Sequence, residues 1–273
     1  MAASIGAPSP LLFPGTTMQA SHALRSAANG RKPVVTESII AHRGAPRLAP
    51  ENTLPAMRAA AEQGANWVEI DVKITKDSRP VIIHDDKVDR TTNGTGYVAG
   101  LTFDEIRALD ARNGFGEQFA GVQIPTLEEL IETVLALDVG LQLELKPTRG
   151  DDIETAEIAL KVLKDLWPRN RERLFISSFS IRSIHAAARL LPDVPRAFAV
   201  VVPPRNPIAL LEESRCQVLH VTQALLTDVA SKILADSGVE YAVAVVNDPD
   251  RARQFLESGA QTISTDIPTL LDA

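Results

Sequence analysis

The chain has 273 residues, of which 45% are hydrophobic, and its 35 acidic and 28 basic side chains give a formal charge of −7. This composition can bury a full-size core, and it excludes a disordered polyelectrolyte and a basic nucleic-acid-binding protein. The single cysteine, Cys216, excludes a disulfide within the chain, and no cysteine–histidine cluster has zinc-site spacing. We therefore expect a globular protein of a reducing compartment, the cytoplasm.

The first 36 residues contain no Asp or Glu and three basic residues. They lack the charged and apolar regions of a secretory signal, so we predict a disordered tail over residues 1–36. An organellar transit peptide and a true start at Met18 are the alternatives. Apolar stretches such as residues 197–202 are far shorter than the roughly 18 residues of a transmembrane helix, so no integral membrane association is expected.

From residue 37 onward, β-rich runs alternate with helical patterns. A strand at 38–42 precedes an alanine-rich helix at 53–63, and strands at 67–72 and 80–84 form a predicted hairpin across a turn signal. Residues 86–124 contain six glycines and predict an irregular insertion with one short helix near 103–109.

After this insertion the alternation resumes and continues to the end of the chain. Further strands are predicted at 141–145, 174–179, 197–202, 218–221, 240–246 and 261–265. Helices are predicted at 126–137, 152–166, 181–190, 207–214, 225–236 and 249–257, with a final helical turn. Eight strand–helix units without a glycine-rich nucleotide loop favour an α/β fold of the (βα)8 TIM-barrel type over a doubly wound sheet. The barrel domain would span 37–273, with a small insertion after strand 2.

Polar residues occupy the predicted ends of four strands, where the reactive side chains of such barrels cluster. They are His42, Arg43, Glu69, Asp71, His84, Glu144 and Lys146. A separation of two places both side chains of a pair on one face of a strand, so three carboxylates would converge. A divalent cation relieves their repulsion, and oxygen ligands favour Mg²⁺ or Ca²⁺, with Mn²⁺ as a third candidate. The alternative is a structural ion network that pairs the acids with Arg43 and Lys146.

His42 and His84 can exchange protons near neutral pH. Beside a cation and two basic side chains, they suit the cleavage of a phosphodiester, which needs charge neutralisation, a proton acceptor and a proton donor. A structural histidine that only forms hydrogen bonds is the alternative for each.

Several blocks of the sequence form a recognisable pattern, namely IAHRGAPRLAPENT (residues 40–53), VEIDVKITKD (68–77), VIIHDDKVDRTTNGTG (81–96) and LELKP (143–147). Together, in this order, they resemble the glycerophosphodiester phosphodiesterase family. Similarity continues through IPTLEEL, SSFS and the late VND and GAQTISTD stretches, so it covers about residues 38–270. The segments ELKPT and LLTD look most like the compact bacterial cytoplasmic members.

The resemblance implies a TIM barrel with a small insertion after the second strand and one divalent cation held by Glu69, Asp71 and Glu144. By the same resemblance, His42 is the proton acceptor, His84 is the proton donor, and Arg43 and Lys146 hold the phosphate. Glu51 and Asn52 would brace the site.

One segment departs from the family pattern. Many members carry an aromatic residue and a threonine before the Val-Asn of strand seven, whereas this chain has Ala244 and Val245 there. The pocket is therefore expected to be wider or less stacked, which affects the substrate range.

The remaining candidates have simpler interpretations. His185 is expected on a helix surface, and His220 in a structural hydrogen bond, with a pocket-lining role as its alternative. Asp85 and Asp86 are expected to orient His84 or cap a turn rather than bind a second metal. Ser177, Ser178 and Ser180 lack the surroundings of a serine hydrolase nucleophile. His22 lies in the predicted tail.

The sequence thus predicts hydrolysis of small-molecule glycerophosphodiesters, such as glycerophosphocholine and glycerophosphoethanolamine, to sn-glycerol 3-phosphate and an alcohol. The closest alternative is a related phosphodiesterase acting on lysophospholipids or other diesters with the same site. A Schiff-base enzyme using Lys146 and a non-catalytic binding module are the alternatives from other classes. The alcohol preference, the ion and the oligomeric state are left open.

Overall fold

The computed structural model describes residues 32–112 and 114–272. Within this part of the chain there are nine β-strands. They are β1 (Ile39–Ala41), β2 (Trp67–Ile74), β3 (Pro80–Ile82), β4 (Gly140–Leu145), β5 (Leu174–Ser178), β6 (Arg196–Val200), β7 (Val218–Thr222), β8 (Glu240–Ala244) and β9 (Thr262–Thr265). The same residues contain eight α-helices. They are α1 (Leu54–Glu62), α2 (Phe103–Arg107), α3 (Leu127–Ala136), α4 (Asp152–Leu166), α5 (Ile181–Leu190), α6 (Pro207–Ser214), α7 (Asp228–Ser237) and α8 (Pro249–Glu257).

Eight parallel strands close into a barrel. Their order is β1-β9-β8-β7-β6-β5-β4-β2, and a β1–β2 pairing closes the circle. Strand β3 runs antiparallel to β2 and stands outside the barrel as the second arm of the predicted hairpin. This topology confirms the predicted (βα)8 TIM barrel, in which the functional side chains gather at the carboxyl ends of the strands.

Most helices begin where the sequence predicts, because a polar side chain caps the start of every described α-helix except α4. Thr126 caps α3 and forms a reciprocal capping box with Glu129. The helix predicted from residue 225 instead begins at Asp228, because the hydroxyl of Thr227 accepts the backbone N–H of Ala230. The predicted final helical turn is a non-helical turn over residues 268–271.

The insertion after β3 has an apolar core of its own. Buried side chains from β3, the loop and helix α2 pack together there, namely Val81, Ile83, Val88, Val98, Ile106, Ala111 and Ile124. A bidentate ion pair joins Arg107 of α2 to Glu129 of α3, so the insertion is anchored to the barrel wall.

The amino-terminal end of the barrel is closed by the chain that precedes β1. Val35 is 1% exposed and packs against Ile40, Trp67 and Phe175. Its backbone N–H and that of Val34 donate to the buried carboxylate of Glu240 on β8. The disorder predicted over residues 1–36 therefore does not extend to Val34 and Val35, which are held by these contacts. Residues 1–31 lie outside the described residues, so the disorder of that part and the domain limits stay predictions. Across residues 32–112 and 114–272, no helix is both long and apolar enough to cross a membrane.

Candidate active site

Three carboxylates meet at the carboxyl end of the barrel. Glu69 and Asp71 project from β2, and Glu144 projects from β4, where it is the direct register partner of Asp71. One ligand oxygen from each residue lies within 4.8 Å of the other two. Glu69 and Asp71 are 1% exposed and Glu144 is 5% exposed. The three carboxylates therefore converge, as the two-residue spacing of Glu69 and Asp71 predicts.

Two basic side chains partly balance this negative charge. Lys146 Nζ lies 3.0 Å from Glu144 Oε1 and 3.3 Å from Asp71 Oδ1, and Arg43 Nε lies 3.4 Å from Asp71 Oδ2. Burial alone would raise the pKa of Asp71, but Lys146 and Arg43 outweigh it and lower that pKa to about 2. Burial and the neighbouring carboxylates instead raise the pKa of Glu69 well above its ordinary value.

The cluster fits a divalent cation. Glu69 Oε1 is buried and has no hydrogen-bond partner among the described residues, although buried carboxylate oxygens are normally satisfied. Burial, followed by the repulsion from Asp71, also raises the pKa of Glu144 despite its contact with Lys146. The basic side chains thus leave part of the acidic charge uncompensated, and an all-oxygen donor set suits a hard ion.

His42 is held by residues from the far end of the chain. Its Nδ1 lies 2.7 Å from Asp266 Oδ1, which follows β9, so Nδ1 carries a proton and donates it to the carboxylate. Asn247 Nδ2 donates to the other oxygen of Asp266 at 2.6 Å. In this tautomer, Nε2 of His42 is an acceptor and receives a hydrogen bond from Arg43 Nε at 3.2 Å.

His84 is held in a similar way. It follows β3, and its Nδ1 lies 2.7 Å from Asp85 Oδ1, which agrees with the orienting role predicted for Asp85. Arg90 binds both oxygens of Asp85 and both oxygens of Glu51. Burial lowers the pKa of His84 below its ordinary value. Asp86 instead accepts a hydrogen bond from Lys73 Nζ at 2.6 Å.

The loop after β1 places Arg43 by means of a strained backbone. Arg43 has φ of 55° and Asn52 has φ of 57°, in the left-handed region that costs a side-chain-bearing residue about 1–2 kcal/mol. Gly44 has φ of 81°, and a Cβ there would lie 2.7 Å from the carbonyl of Ala56 in α1. The left-handed turn aims the Arg43 backbone N–H at Glu69 Oε2, which accepts it at 2.9 Å.

Glu51 and Asn52 brace the site, as the resemblance implies. Asn52 Nδ2 donates to Asp71 Oδ2 at 2.9 Å, and its Oδ1 accepts the backbone N–H of Asp71 at 3.3 Å. Glu51 Oε1 accepts a hydrogen bond from Arg43 Nη1 at 2.7 Å. The seven predicted site residues therefore lie together at one end of the barrel.

Two other histidines, His185 and His220, lie in the described part of the chain, and neither forms a hydrogen bond to the acid cluster, whereas His22 lies outside the described residues. His220 is buried in the barrel interior, where its Nδ1 is 3.0 Å from Gln142 Nε2, which agrees with the predicted structural hydrogen bond. His185 contacts the carbonyl of Glu213 on the surface, also as predicted. Burial raises the pKa of Cys216 to about 11, so its thiol is protonated at neutral pH.

Four residues that hold the site side chains in place are not indicated by the sequence analysis: Asp266, Asn247, Arg90 and Lys73. Asp266 follows a strand directly, so its position was a usable signal, but it is a lone carboxylate without the paired spacing of Glu69 and Asp71. Arg90 lies in the irregular insertion, where no periodicity indicates the direction of a side chain.

Comparison with known proteins agrees with this geometry. The profile of the "Glycerophosphoryl diester phosphodiesterase family" matches residues 42–270. The chain belongs to this family. It is therefore an enzyme of the glycerophosphodiester phosphodiesterase class.

Individual relatives and solved structures support the assignment. A glycerophosphodiester phosphodiesterase of Caldanaerobacter subterraneus is 33% identical over 234 residues, which cover 85% of this chain and 95% of the relative. A human glycerophosphodiester phosphodiesterase 1 is 44% identical over 165 residues, 60% of this chain and 49% of the relative. An Oleispira antarctica phosphodiesterase, solved in complex with the product sn-glycerol-3-phosphate, superposes with a TM-score of 0.83 at 34% identity and covers 87% of this chain and 98% of its own.

Proposed function

We propose that this phosphodiesterase hydrolyses glycerophosphodiesters to sn-glycerol 3-phosphate and an alcohol, with a divalent cation and two histidines. Glycerophosphocholine and glycerophosphoethanolamine are the simplest substrates to test. One observation supports the proposal most directly: each of two histidines has Nδ1 bound to a carboxylate, beside a buried cluster of three acids and two bases. The product named for the Oleispira antarctica relative also supports this reaction.

The two histidines would have complementary roles. Because Asp266 accepts a hydrogen bond from Nδ1 of His42, the lone pair of the ring lies on Nε2. Once Nε2 exchanges the hydrogen bond from Arg43 Nε for one from the attacking water or glycerol hydroxyl, it would take the proton of that group. His84, with Nδ1 on Asp85, would deliver a proton through Nε2 to the leaving alkoxide. Its pKa is lowered by burial, so the negatively charged phosphate is needed beside it to favour the protonated form.

Glu69, Asp71 and Glu144 would hold the cation, with Mg²⁺ and Ca²⁺ as the first candidates and Mn²⁺ as the third. When bound, the cation supplies positive charge that polarises the phosphoryl group and neutralises the acids. Arg43 and Lys146 would bind the phosphate oxygens. Burial would lower the pKa of Lys146, but Asp71 and Glu144 raise it above the ordinary value, so its amine stays charged. A charged amine favours phosphate binding over Schiff-base chemistry.

The test is release of sn-glycerol 3-phosphate from glycerophosphocholine and glycerophosphoethanolamine, with Mg²⁺, Ca²⁺, Mn²⁺ or EDTA. Wild type is compared with Glu69→Gln, which removes a buried carboxylate, and with Glu117→Gln, which changes a glutamate that is 90% exposed. We expect cation-dependent activity that Glu69→Gln abolishes and Glu117→Gln retains. Activity that persists in EDTA with Glu69→Gln would refute the role of the acid cluster.

A leaving-group comparison tests His84 separately. His84→Ala should impair diesters of simple alcohols far more than nitrophenyl diesters, because nitrophenolate leaves without a proton. Equal losses on both substrates would refute the proton-donor role. The cytoplasmic location stays a prediction from the single cysteine.

A further inference from the structure

A groove of about 620 Å³ opens from the acid cluster on the side of His84. Its walls are the loop after β3, the loop between β4 and α4, and the turn between β5 and α5. Lys73 is 2% exposed and joins two of these walls, because its Nζ donates to Asp86 Oδ1 at 2.6 Å and to the carbonyl of Lys146 at 3.0 Å. Lys73 therefore fixes the relative position of the two loops before any substrate binds.

The groove offers both hydrogen-bond donors and acceptors to a ligand. Arg149 is exposed, and its guanidinium has no partner among residues 32–112 and 114–272. Thr148 Oγ1 is buried and likewise has no partner in the described part of the chain. Asp86 is 57% exposed and has Lys73 as its side-chain partner, and Asp152 is 20% exposed and contacts Ser180 and Arg182, so each carboxylate keeps lone pairs for a further donor. Phe179 is 44% exposed and adds an apolar face.

The same residues suit a quaternary ammonium group poorly. Choline is normally bound by several aromatic rings, whereas Phe179 is the one aromatic side chain among the described residues that line this groove. Lys146 Nζ already lies 5.7 Å from the centre of the Phe179 ring. Each of the four carboxylates that line the groove already has a basic partner: Arg90 for Asp85, Lys73 for Asp86, Lys146 for Glu144 and Arg182 for Asp152. A cationic head group would therefore have to compete with these partners, and it would also meet the exposed guanidinium of Arg149.

We propose that this groove binds the alcohol half of the diester and favours an uncharged, polyhydroxylated alcohol over choline. The inference rests on the proposed function, in which His84 protonates the leaving oxygen and the alcohol departs on its side. Hydroxyl groups both donate and accept, which matches Arg149 and Thr148 on one wall and Asp86 on the other. An apolar ring face beside these groups suits the carbon skeleton of a polyol.

The experiment compares kcat/KM for glycerophosphoglycerol, glycerophosphoinositol and glycerophosphocholine, with sn-glycerol 3-phosphate release as the common readout. We expect the two polyol diesters to exceed the choline diester by about tenfold, the order of one hydrogen bond to a charged donor. Arg149→Ala should lower kcat/KM for the polyol diesters about tenfold and for the choline diester about twofold, so the preference shrinks. Phe179→Ala should reduce the same preference.

The matched control is Arg169→Ala, an exposed arginine without a partner among the described residues, in the loop between α4 and β5 at the opposite end of the barrel. It should leave all three values unchanged. Equal kcat/KM values for the three diesters would overturn the inference and leave the proposed function standing. Equal losses on all three in Arg149→Ala would also overturn it, because the shared glycerol 3-phosphate half would then occupy the groove. Release from none of the diesters would refute the proposed function together with the inference.

Discussion

The substitution Asp266→Asn is expected to reverse the tautomer of His42. Asn247 is fixed in orientation, because its Oδ1 accepts from the Asp266 backbone N–H at 2.9 Å and from the Thr265 hydroxyl at 3.0 Å. Its Nδ2 must therefore point at residue 266. An amide at residue 266 would turn its oxygen toward Asn247 and its NH₂ toward His42. Nδ1 of His42 would then accept a hydrogen bond, and the proton would move to Nε2.

The size of the effect follows from the role proposed for His42. A positioned general base contributes about 10²- to 10⁴-fold to rate, so we expect kcat to fall at least about 100-fold. KM should change less than kcat, because Lys146 keeps its contacts and Arg43 loses only its hydrogen bond to His42 Nε2 while Glu51 and Asp71 still hold it. Release of sn-glycerol 3-phosphate measures the rate, and ¹⁵N NMR of labelled histidine reports which ring nitrogen carries the proton.

Two further variants make the reasoning refutable. In the double variant Asn247→Ala with Asp266→Asn, the amide is free to rotate and present its oxygen to His42, so part of the lost activity should return. Asp248→Asn is the matched control, because asparagine caps α8 as well as the aspartate that now accepts the Arg251 N–H. If Asp266→Asn keeps kcat within about threefold of wild type, Asp266 does not set the tautomer that catalysis needs.

Three predictions concern stability. Burial lowers the pKa of His220 to about 4, so the unfolded chain binds a proton that the folded chain does not. Chemical denaturation at pH 7 and pH 5 should therefore show wild type losing about 2 kcal/mol more than His220→Gln, and equal losses would contradict the assignment. Gly44→Ala should lower the free energy of unfolding by about 2 kcal/mol or more at pH 7, since φ is 81° and the new Cβ would meet the Ala56 carbonyl; a neutral result would mean that the loop relaxes freely. Val35→Ala should cost about 2 kcal/mol in the same assay, because Val35 is 1% exposed beneath the barrel, whereas an exposed Val229→Ala should cost almost nothing.

Local patterns in the sequence predict much of this structure. The alternation around Glu69 and Asp71 places both side chains inside the barrel because side chains of a strand alternate between its faces. The sequence also predicts that the carboxylates of β2 and β4 lie close together, since parallel strands bring their carboxyl ends to one edge of the sheet. The start of α7 was misplaced because Thr227, a capping residue, stands inside an otherwise helical pattern.

Partner choice over long distances is not contained in such patterns. Nothing near His42 in the sequence indicates that Asp266 will hold it, and nothing near Glu240 indicates that two backbone N–H groups from residues 34 and 35 will bind it. The contacts of Arg90 are equally unpredictable from the sequence, since the conformation of an irregular loop determines which carboxylates its side chain reaches. These contacts depend on how the closed barrel brings distant segments together.

His42 follows the first strand of the barrel and Asp266 follows the last, which affects when activity can arise during synthesis. The two residues are 224 positions apart, and β1 meets β9 only once the last strand has been made. Contacts of such high sequence separation form late, since they close the longest loop in the chain. A nascent chain on the ribosome would therefore carry both histidines and the acid cluster for most of its synthesis without the carboxylate that orients His42. Phosphodiesterase activity is thus expected to report the closing of the barrel rather than the formation of any part of it.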